Sequence, residues 1–530
     1  MTTTRVEKII LGITLTAALA AYSFFPWATS SREIMRFNSP DEAANYFFTT
    51  RLISTEPISV SEPLNGVANN FIHPRSARVV NGALVPASFV GLPVIYGIIG
   101  LAFGRAILPF LTPLFTVLAL LAVYACSRRL FGSKIALLAT ILLAIHSAMW
   151  YYASRGFYHN VLFFDLLIFA WWGYWRWRES GWSQGWLVFC LAALAAALFV
   201  RTSEALWVVP MVAVVIFADR RQWQFGHVIT ALLTGGLLII FWLWLATMIY
   251  GQVWPPGYQM SGSTGTILSK LPLFVRIPLW TVAPFGLSPL NIANNFLRYG
   301  IMLFLPFWLL VVGGLLYDRG QAIKRSYALA AGLITLWLAI YYGSWNISDT
   351  VGASVLTIGS SYVRYWLPLY AIWLPYAALA LLAIQRSLKG MAGRIWLALM
   401  ILLLASASLA QVFFDYPEGL MYVAERLQKY RRAMITTESV AAPNSVIIGD
   451  RADKVFFPER HVIVSDGRSV FSIPGILEAA VRLAEDVPIY FYTVERPSSE
   501  LEQKLRQYRL NLRSPIILPD GALLYRLIRL

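Results

Sequence analysis

Residues 9–25, IILGITLTAALAAYSFF, form a run of seventeen positions without one charged side chain. Comparable runs recur as far as Phe413, each near the ~20 residues that cross a hydrocarbon core of about 30 Å. Composition agrees: 58% of the 530 residues are hydrophobic, 13% are charged, and the mean hydropathy is +0.61. Soluble domains carry roughly 25% charged residues. The sequence therefore predicts a polytopic membrane protein. Arg5 and Lys8 precede the first run as in a signal peptide, but no small-residue cleavage site follows, so an uncleaved first helix is expected. Cys126 and Cys190 both fall inside apolar runs, which points to neither a disulfide nor a metal site.

The net charge of +16 is not a nucleic-acid footprint, because of where it sits. Residues 414–530 hold 16 Lys/Arg against 15 Asp/Glu, so the excess, 27 against 12, belongs to the apolar part. There the basic residues cluster in short loops: Arg5/Lys8, Arg128/Arg129/Lys134, Arg176/Arg178, Arg220/Arg221, Arg319/Lys324/Arg325 and Arg386/Lys389/Arg394. Basic loops mark the cytoplasmic side. With all six placed there, the outer loops are about 28–82, 153–160, 201–203, 251–295, 344–362 and everything after 414.

Residues 83–104, ALVPASFVGLPVIYGIIGLAFG, are long enough to span, which would flip the parity of every later loop. Pro86, Gly91, Pro93, Gly97 and Gly100 interrupt them, and these residues suit a regular helix interior poorly. The segment is read as a juxtamembrane or re-entrant piece at the outer interface. This leaves about eleven spans (about 11–13 transmembrane helices), with the N-terminus cytoplasmic and the C-terminus outside.

From Tyr416 the chain becomes charged, and short apolar runs alternate with turn signals: SVIIGD, HVIVSDG, VPIYFYTV, SPIILPDG and ALLYRLI. Helical stretches at about 418–437 and 474–486 lie among them. The expected architecture is an all-α membrane bundle over 1–413 and a small extracytoplasmic α/β domain over 414–530.

Ser39-Pro40-Asp41-Glu42 in the first outer loop has two compatible readings. Ser39 as N-cap, Pro40 at the first helical position and Glu42 completing a capping box describe a helix start. That start would fix Asp41 as a general base at the membrane boundary, with Tyr46, Phe47 and Phe48 holding the helix there. Arg201 lies between two apolar runs with Glu204 one turn later, suited to an Arg–Glu pair or to anion binding. Arg364 fits either snorkelling from a helix end or phosphate binding. Asp165 lies inside a span near its outer end, where Arg155 or His159 is expected to neutralise it. His146 and His227 read as interface or loop residues, and the five histidines have no zinc spacing. Trp171, Trp172, Trp175 and Trp177 read as an interfacial belt. Trp254-Pro255-Pro256-Gly257-Tyr258 opens the long outer loop, and Asn346-Ile347-Ser348 is a glycosylation sequon.

An Asp-Glu pair in the first outer loop after one N-terminal span resembles the GT-C glycosyltransferases. The similarity is to their protein O-mannosyltransferase and aminoarabinose-transferase (ArnT-like) branch. Phe71-Ile72-His73-Pro74 resembles that family's "HPP" or "KP" element, with Arg75 where the second proline usually stands. Arg128-Arg129-Leu130-Phe131-Gly132 resembles its "RRLFG" inner loop. Tyr152-Ala153-Ser154-Arg155 and then His159-Asn160 resemble the second outer loop, Asn160 standing where relatives often carry Asp. Val200-Arg201-Thr202 resembles a short basic turn, and Tyr362-Val363-Arg364-Tyr365-Trp366-Leu367-Pro368 a late "RYLLP" segment.

The resemblance implies transfer of a glycosyl unit from a polyprenyl-phosphate sugar to a hydroxyl acceptor at the outer face, with inversion. Such a reaction needs cations around the phosphate leaving group and a base for the hydroxyl proton. Asp41, supported by Glu42, is the expected base. Arg201, Arg364, His73 and Arg75 are the expected phosphate neighbours, and Arg155, His159 and Asn160 the expected substrate contacts. A divalent cation near Asp41 and Glu42 is compatible with this scheme. The competing class is a transporter or lipid flippase, which calls for ionisable residues near the midplane and internal pseudo-symmetry. Charges here gather at the ends of runs and no repeat is evident.

Overall fold

A computed structural model describes residues 4–31, 34–252, 279, 281–317, 322–347, 355–465 and 469–530. The Trp254–Tyr258 loop opening and Ser348 of the sequon lie outside the described residues. Seven described helices are long and apolar enough to cross a membrane: Arg5–Thr29, Arg105–Phe131, Phe225–Tyr250, Pro289–Tyr317, Arg325–Gly343, Leu367–Leu388 and Gly390–Phe414. Two bent pairs raise the number to nine: Ser133–Ile145 with Ser147–Ala153 at 58°, and Gln184–Val200 with Thr202–Ala218 at 115°. The eleven spans expected from sequence require the two arms of the sharper pair to count separately and His159–Glu179 to be added.

The described chain divides into two compact units. One comprises Met1–Ala28, Pro109–Phe241 and Tyr258–Tyr422. Of the seven long apolar helices the most enclosed is Leu367–Leu388, with 72% of its apolar window buried. The helix Leu305–Tyr317 packs on it closely because Gly314 has no side chain; a Cβ there would lie 1.9 Å from the Tyr376 carbonyl oxygen. Leucine and aromatic side chains left on the outer faces of these helices, such as Leu232, Leu237, Leu309 and Leu402, are exposed in the isolated protein. They are the surface that a bilayer covers.

The second unit comprises Thr29–Leu108, Trp242–Gly257 and Val423–Leu530. Residues 29–108 thus group with the C-terminal segment, and the domain boundary expected at 413/414 divides the chain differently. The reason is that the two parts share apolar cores. Strands β1 (Val60–Ser61), β2 (Ala77–Val80) and β3 (Ala83–Pro86) make a small antiparallel sheet in the order β1-β3-β2. Strands β4 (Val446–Asp450), β5 (His461–Ser465), β6 (Ile489–Thr493), β7 (Leu510–Leu512), β8 (Ile516–Ile517) and β9 (Leu523–Arg529) make the larger one. Its order is β5-β4-β6-β9-β7, with β8 on β9; β4 is parallel to β5 and β6, and β9 antiparallel to β6. Four of the five apolar runs read as strands supply β4, β5, β6 and β9, and SPIILPDG supplies only the short β8. Ala68 and Ile72 of the loop sit in one core with Val446, Ile448, Ile463 and Phe491, while Ile34 and Phe47 pack with Phe456, Phe457 and Tyr490. A bridge pairs His73 with Ile463.

Residues 83–104 resolve into strand β3 and the helix Gly91–Phe103. Thirteen residues extend about 20 Å, short of the ~30 Å core. The helix ends at Gly104, whose φ of 81° few other residues adopt. Gly100 lets it lie directly on the helix Pro40–Ile53, since a Cβ would meet Ile53 Cδ1 at 2.3 Å.

Candidate functional site

The capping box forms as the sequence predicts. Ser39 is extended, its hydroxyl accepts from the Asp41 N–H at 3.3 Å, and Glu42 accepts from the Ser39 N–H at 3.2 Å. Glu42 is buried in that duty, whereas Asp41 is half-buried and its Oδ1 accepts a 2.6 Å hydrogen bond from Ser76 Oγ. The two adjacent carboxylates therefore divide their work: Glu42 satisfies helix-start donors and Asp41 turns to the loop. His73 Nδ1 lies 3.0 Å from the Pro74 carbonyl. Arg75 is committed within this unit: its guanidinium and its backbone N–H bind the Asp453 carboxylate, with Nη2 at 2.8 Å from Oδ1. Its charge is balanced in place, as a structural ion pair.

Among the described residues, no group of three or more His, Cys, Asp or Glu side chains is arranged to hold a metal ion. At Asp41 and Glu42 the carboxylates are two, one of them holding the helix cap. Mg²⁺ is commonly held by only one or two carboxylates, with waters and substrate phosphates completing its shell.

In the helical unit the structure brings three of the expected residues together. Arg155, Arg201 and Arg364 are all buried. The Arg364 guanidinium lies 4.6 Å from the Tyr158 ring centre and 5.4 Å from that of Tyr365. Arg155 shares Tyr158, at 5.0 Å, and Arg201 shares Tyr365, also at 5.0 Å. Two tyrosine rings thus string three guanidiniums in a row, held by the attraction of a cation to an aromatic face. Further bonds fix each one: Arg155 Nη1 to Tyr151 Oη at 2.8 Å, Arg364 Nη2 to Ser361 Oγ at 2.8 Å, and Arg201 Nε to Glu204 Oε1 at 2.7 Å. Tyr342 and Trp207 also donate to Glu204. The Arg201–Glu204 pair expected from spacing is present, inside this larger cluster.

Each arginine stands where a helix is broken. Arg155 precedes the start of His159–Glu179, Arg201 is the non-helical residue that ends Gln184–Val200 at the 115° bend, and Arg364 lies on the one-turn helix Ser361–Tyr365. Irregular backbone in a membrane bundle is tolerated where it is enclosed by protein or lines a polar cavity. His159 and Asn160 open the helix beside Tyr158 and are buried there.

The same unit corrects two expectations, for Asp165 and His146. Asp165 is fully buried and accepts from Thr116 Oγ1 at 2.9 Å; neither Arg155 nor His159 reaches it. His146 is a core residue, stacked on Tyr370 and flanked by Phe304 and Phe307. His227 is buried too, bound to the Trp182 carbonyl at 2.9 Å. Tyr158, Tyr365, Ser76 and Asp453 are not among the residues expected from sequence. For the tyrosines a signal exists, an aromatic beside or near each arginine in RGFY and VRYW; for Ser76 and Asp453 there is none.

Residues 94–245 match the family model described as dolichyl-phosphate-mannose-protein mannosyltransferase. The oligosaccharyltransferase of Archaeoglobus fulgidus, tethered to an acceptor peptide containing the NVT sequon, aligns over 98% of this chain and 74% of its own. Its TM-score is 0.55 and its identity 14%. ArnT from Cupriavidus metallidurans, bound to undecaprenyl phosphate, aligns over 97% of both chains with a TM-score of 0.52 and 13% identity. The fold is GT-C. No curated protein matches the sequence itself. Within the GT-C fold, the matched family segment contains Arg155, His159, Asn160 and Arg201, while Asp41 and Arg364 lie outside it. The chain is an integral membrane protein.

Proposed function

We propose that this protein is a membrane glycosyltransferase that moves a glycosyl unit from a polyprenyl-phosphate sugar to a hydroxyl acceptor at the extracytoplasmic face. The observation that carries the reading is the buried row of Arg155, Arg364 and Arg201 on Tyr158 and Tyr365, set at three helix breaks of a GT-C bundle. Guanidinium forks match phosphate oxygens, and in a site shielded from water they stabilise the charge that grows on a departing phosphate. Related folds give further support: the ArnT structure is bound to undecaprenyl phosphate, and an Archaeoglobus fulgidus oligosaccharyltransferase is in complex with a dolichol-phosphate.

In this reading Arg364, Arg201 and Arg155 hold the donor phosphate, and His159 and Asn160 line the donor's approach. Asp41 takes the acceptor's hydroxyl proton as its oxygen attacks the anomeric carbon. The glycosyl–phosphate bond breaks in the same displacement, so the anomeric centre inverts and the lipid phosphate leaves with the bonding electron pair. Glu42 contributes by holding the helix start. The N-terminus is assigned to the cytoplasm and the C-terminal segment to the outside, from the basic loops.

The test uses purified full-length protein in nanodiscs with a panel of polyprenyl-phosphate sugars, scoring release of polyprenyl phosphate. Wild type should turn over at least one donor, Arg364→Ala should lose donor affinity, and Asp41→Asn should lose turnover while still binding undecaprenyl phosphate. An Asp41→Asn variant that turns over at the wild-type rate would show that another group is the base.

A further inference from the structure

We infer that Asp453, from the C-terminal part of the chain, is a positioning residue for Asp41, acting through Arg75 and Ser76. The inference rests on the reading of Asp41 as the base. It begins with the 2.6 Å bond from Ser76 Oγ to Asp41 Oδ1, which joins residues 35 apart in sequence. Ser76 has φ of +60°, in the left-handed region that a serine disfavours. Something must hold it there.

Three sets of bonds do so. Ala77 N–H donates to the Pro74 carbonyl at 3.3 Å, and Ala87 N–H donates to the Ser76 carbonyl at 3.0 Å. The third set belongs to Asp453, 378 residues from Arg75 in sequence. Its Oδ2 accepts from the Arg75 backbone N–H at 3.0 Å, Arg75 Nε lies 3.1 and 3.2 Å from its two oxygens, and Arg75 Nη2 lies 2.8 Å from Oδ1. One buried carboxylate therefore grips both the main chain and the side chain of the residue just before Ser76.

The same short segment also holds the acceptor's helix. Phe457, four residues after Asp453, packs edge-on against Phe47 of the helix Pro40–Ile53, with ring centres 4.8 Å apart at 65°. Residues 453–457 thus touch the loop that supplies the donor and the helix that supplies the acceptor. A base must sit within a few tenths of an ångström of its working place, and here both partners of its hydrogen bond are fixed to one frame. The C-terminal part is, on this account, a clamp on the base, in addition to anything it binds.

The test does not depend on knowing the sugar. Full-length protein is treated with a water-soluble carbodiimide and glycine ethyl ester over a range of pH, and labelling of the Asp41 peptide is read by mass spectrometry. Carbodiimide activates the protonated carboxyl, so the labelling midpoint reports how well the ionised form is held. Ser76→Ala should move that midpoint up by about one pH unit, a tenfold effect for a lost bond to a charged group. Asp453→Asn should also move it up, and the double variant no further than Ser76→Ala alone.

Direct electrostatics gives the opposite sign: removing a nearby negative charge eases ionisation of Asp41 and lowers the midpoint. A downward or absent shift in Asp453→Asn, or an unmoved midpoint in Ser76→Ala, overturns the inference and leaves the base assignment as it was. If Asp453→Asn does not fold, Asp453→Glu takes its place; the charge stays, the carboxylate moves by one methylene, and an unmoved midpoint is again decisive against the clamp. The base assignment is read separately, by turnover of Asp41→Asn.

Discussion

Arg364→Lys is the substitution that bears most directly on the phosphate reading. The Arg364 guanidinium stacks on Tyr158 and Tyr365 at 4.6 and 5.4 Å and is steadied by Ser361 Oγ at 2.8 Å. Lysine keeps the positive charge but offers a compact ammonium on a flexible stem. It cannot make two parallel bonds to a phosphate, and it stacks poorly. Loss of one bond to a charged group is worth about 1.5 kcal/mol, and loss of one stacking contact about 0.5–1 kcal/mol. Together these come to roughly 2–2.5 kcal/mol, or a Kd for undecaprenyl phosphate weakened by about 30–70-fold. Titration of the lipid phosphate into nanodisc-embedded protein measures this, with thermal melting as the control for folding. A folded Arg364→Lys protein that binds within twofold of wild type refutes the assignment of this cluster to the donor phosphate.

The remaining predictions concern the scaffold. Tyr158→Leu removes the ring shared by Arg155 and Arg364, and undecaprenyl phosphate binding should weaken by about tenfold, on the order of two cation–π contacts, in the same titration. Ile72→Ala opens a cavity in the core that the first loop shares with β4 and β5; a cost of about 2–4 kcal/mol should show as a lowered melting transition and earlier proteolysis of the C-terminal segment. Ser39→Ala deletes the cap that accepts from Asp41 N–H, costing about 1 kcal/mol in denaturant melts. Asp415 has its carboxyl raised from the usual range, first by burial and also by the nearby Glu418 carboxylate, although Ile358 N–H and Thr357 donate to it. A raised carboxyl favours the folded state most below its unfolded value, and that contribution is lost as pH rises through the folded value. Asp415→Asn should therefore flatten the loss of thermal stability on going from acid to neutral pH, and an unchanged slope would count against this attribution.

Features built from near neighbours are legible in the sequence. The helix start at Ser39–Glu42 is a contact among four consecutive residues, and Arg201–Glu204 is a single turn, so spacing alone carries them. The strands of the C-terminal segment can be read because short β-rich runs bounded by turn residues are a local pattern. The helix Asp453–Phe456 and strand β7 are too short to leave a periodic signal. His146 and Asp165 mislead for a different reason. Their polarity suggests an edge position, yet each lies in the interior with its own partner, Ala148 N–H for the histidine and Thr116 for the aspartate.

By itself, then, the sequence determined that this chain lives in a membrane, which ends of its helices carry charge, and that a capped helix starting at Pro40 presents the Asp41 carboxylate. These follow from composition, from the length of apolar runs and from bonds between near neighbours. Tertiary structure alone decided the grouping of residues 29–108 with 423–530, the gathering of Arg155, Arg201 and Arg364 on two tyrosines, and the grip of Asp453 on Arg75. The physical reason is the same in each case: the partners lie tens to hundreds of residues apart, and what selects them is the burial of a shared apolar core and the pairing of charges that burial would otherwise leave exposed to a low dielectric.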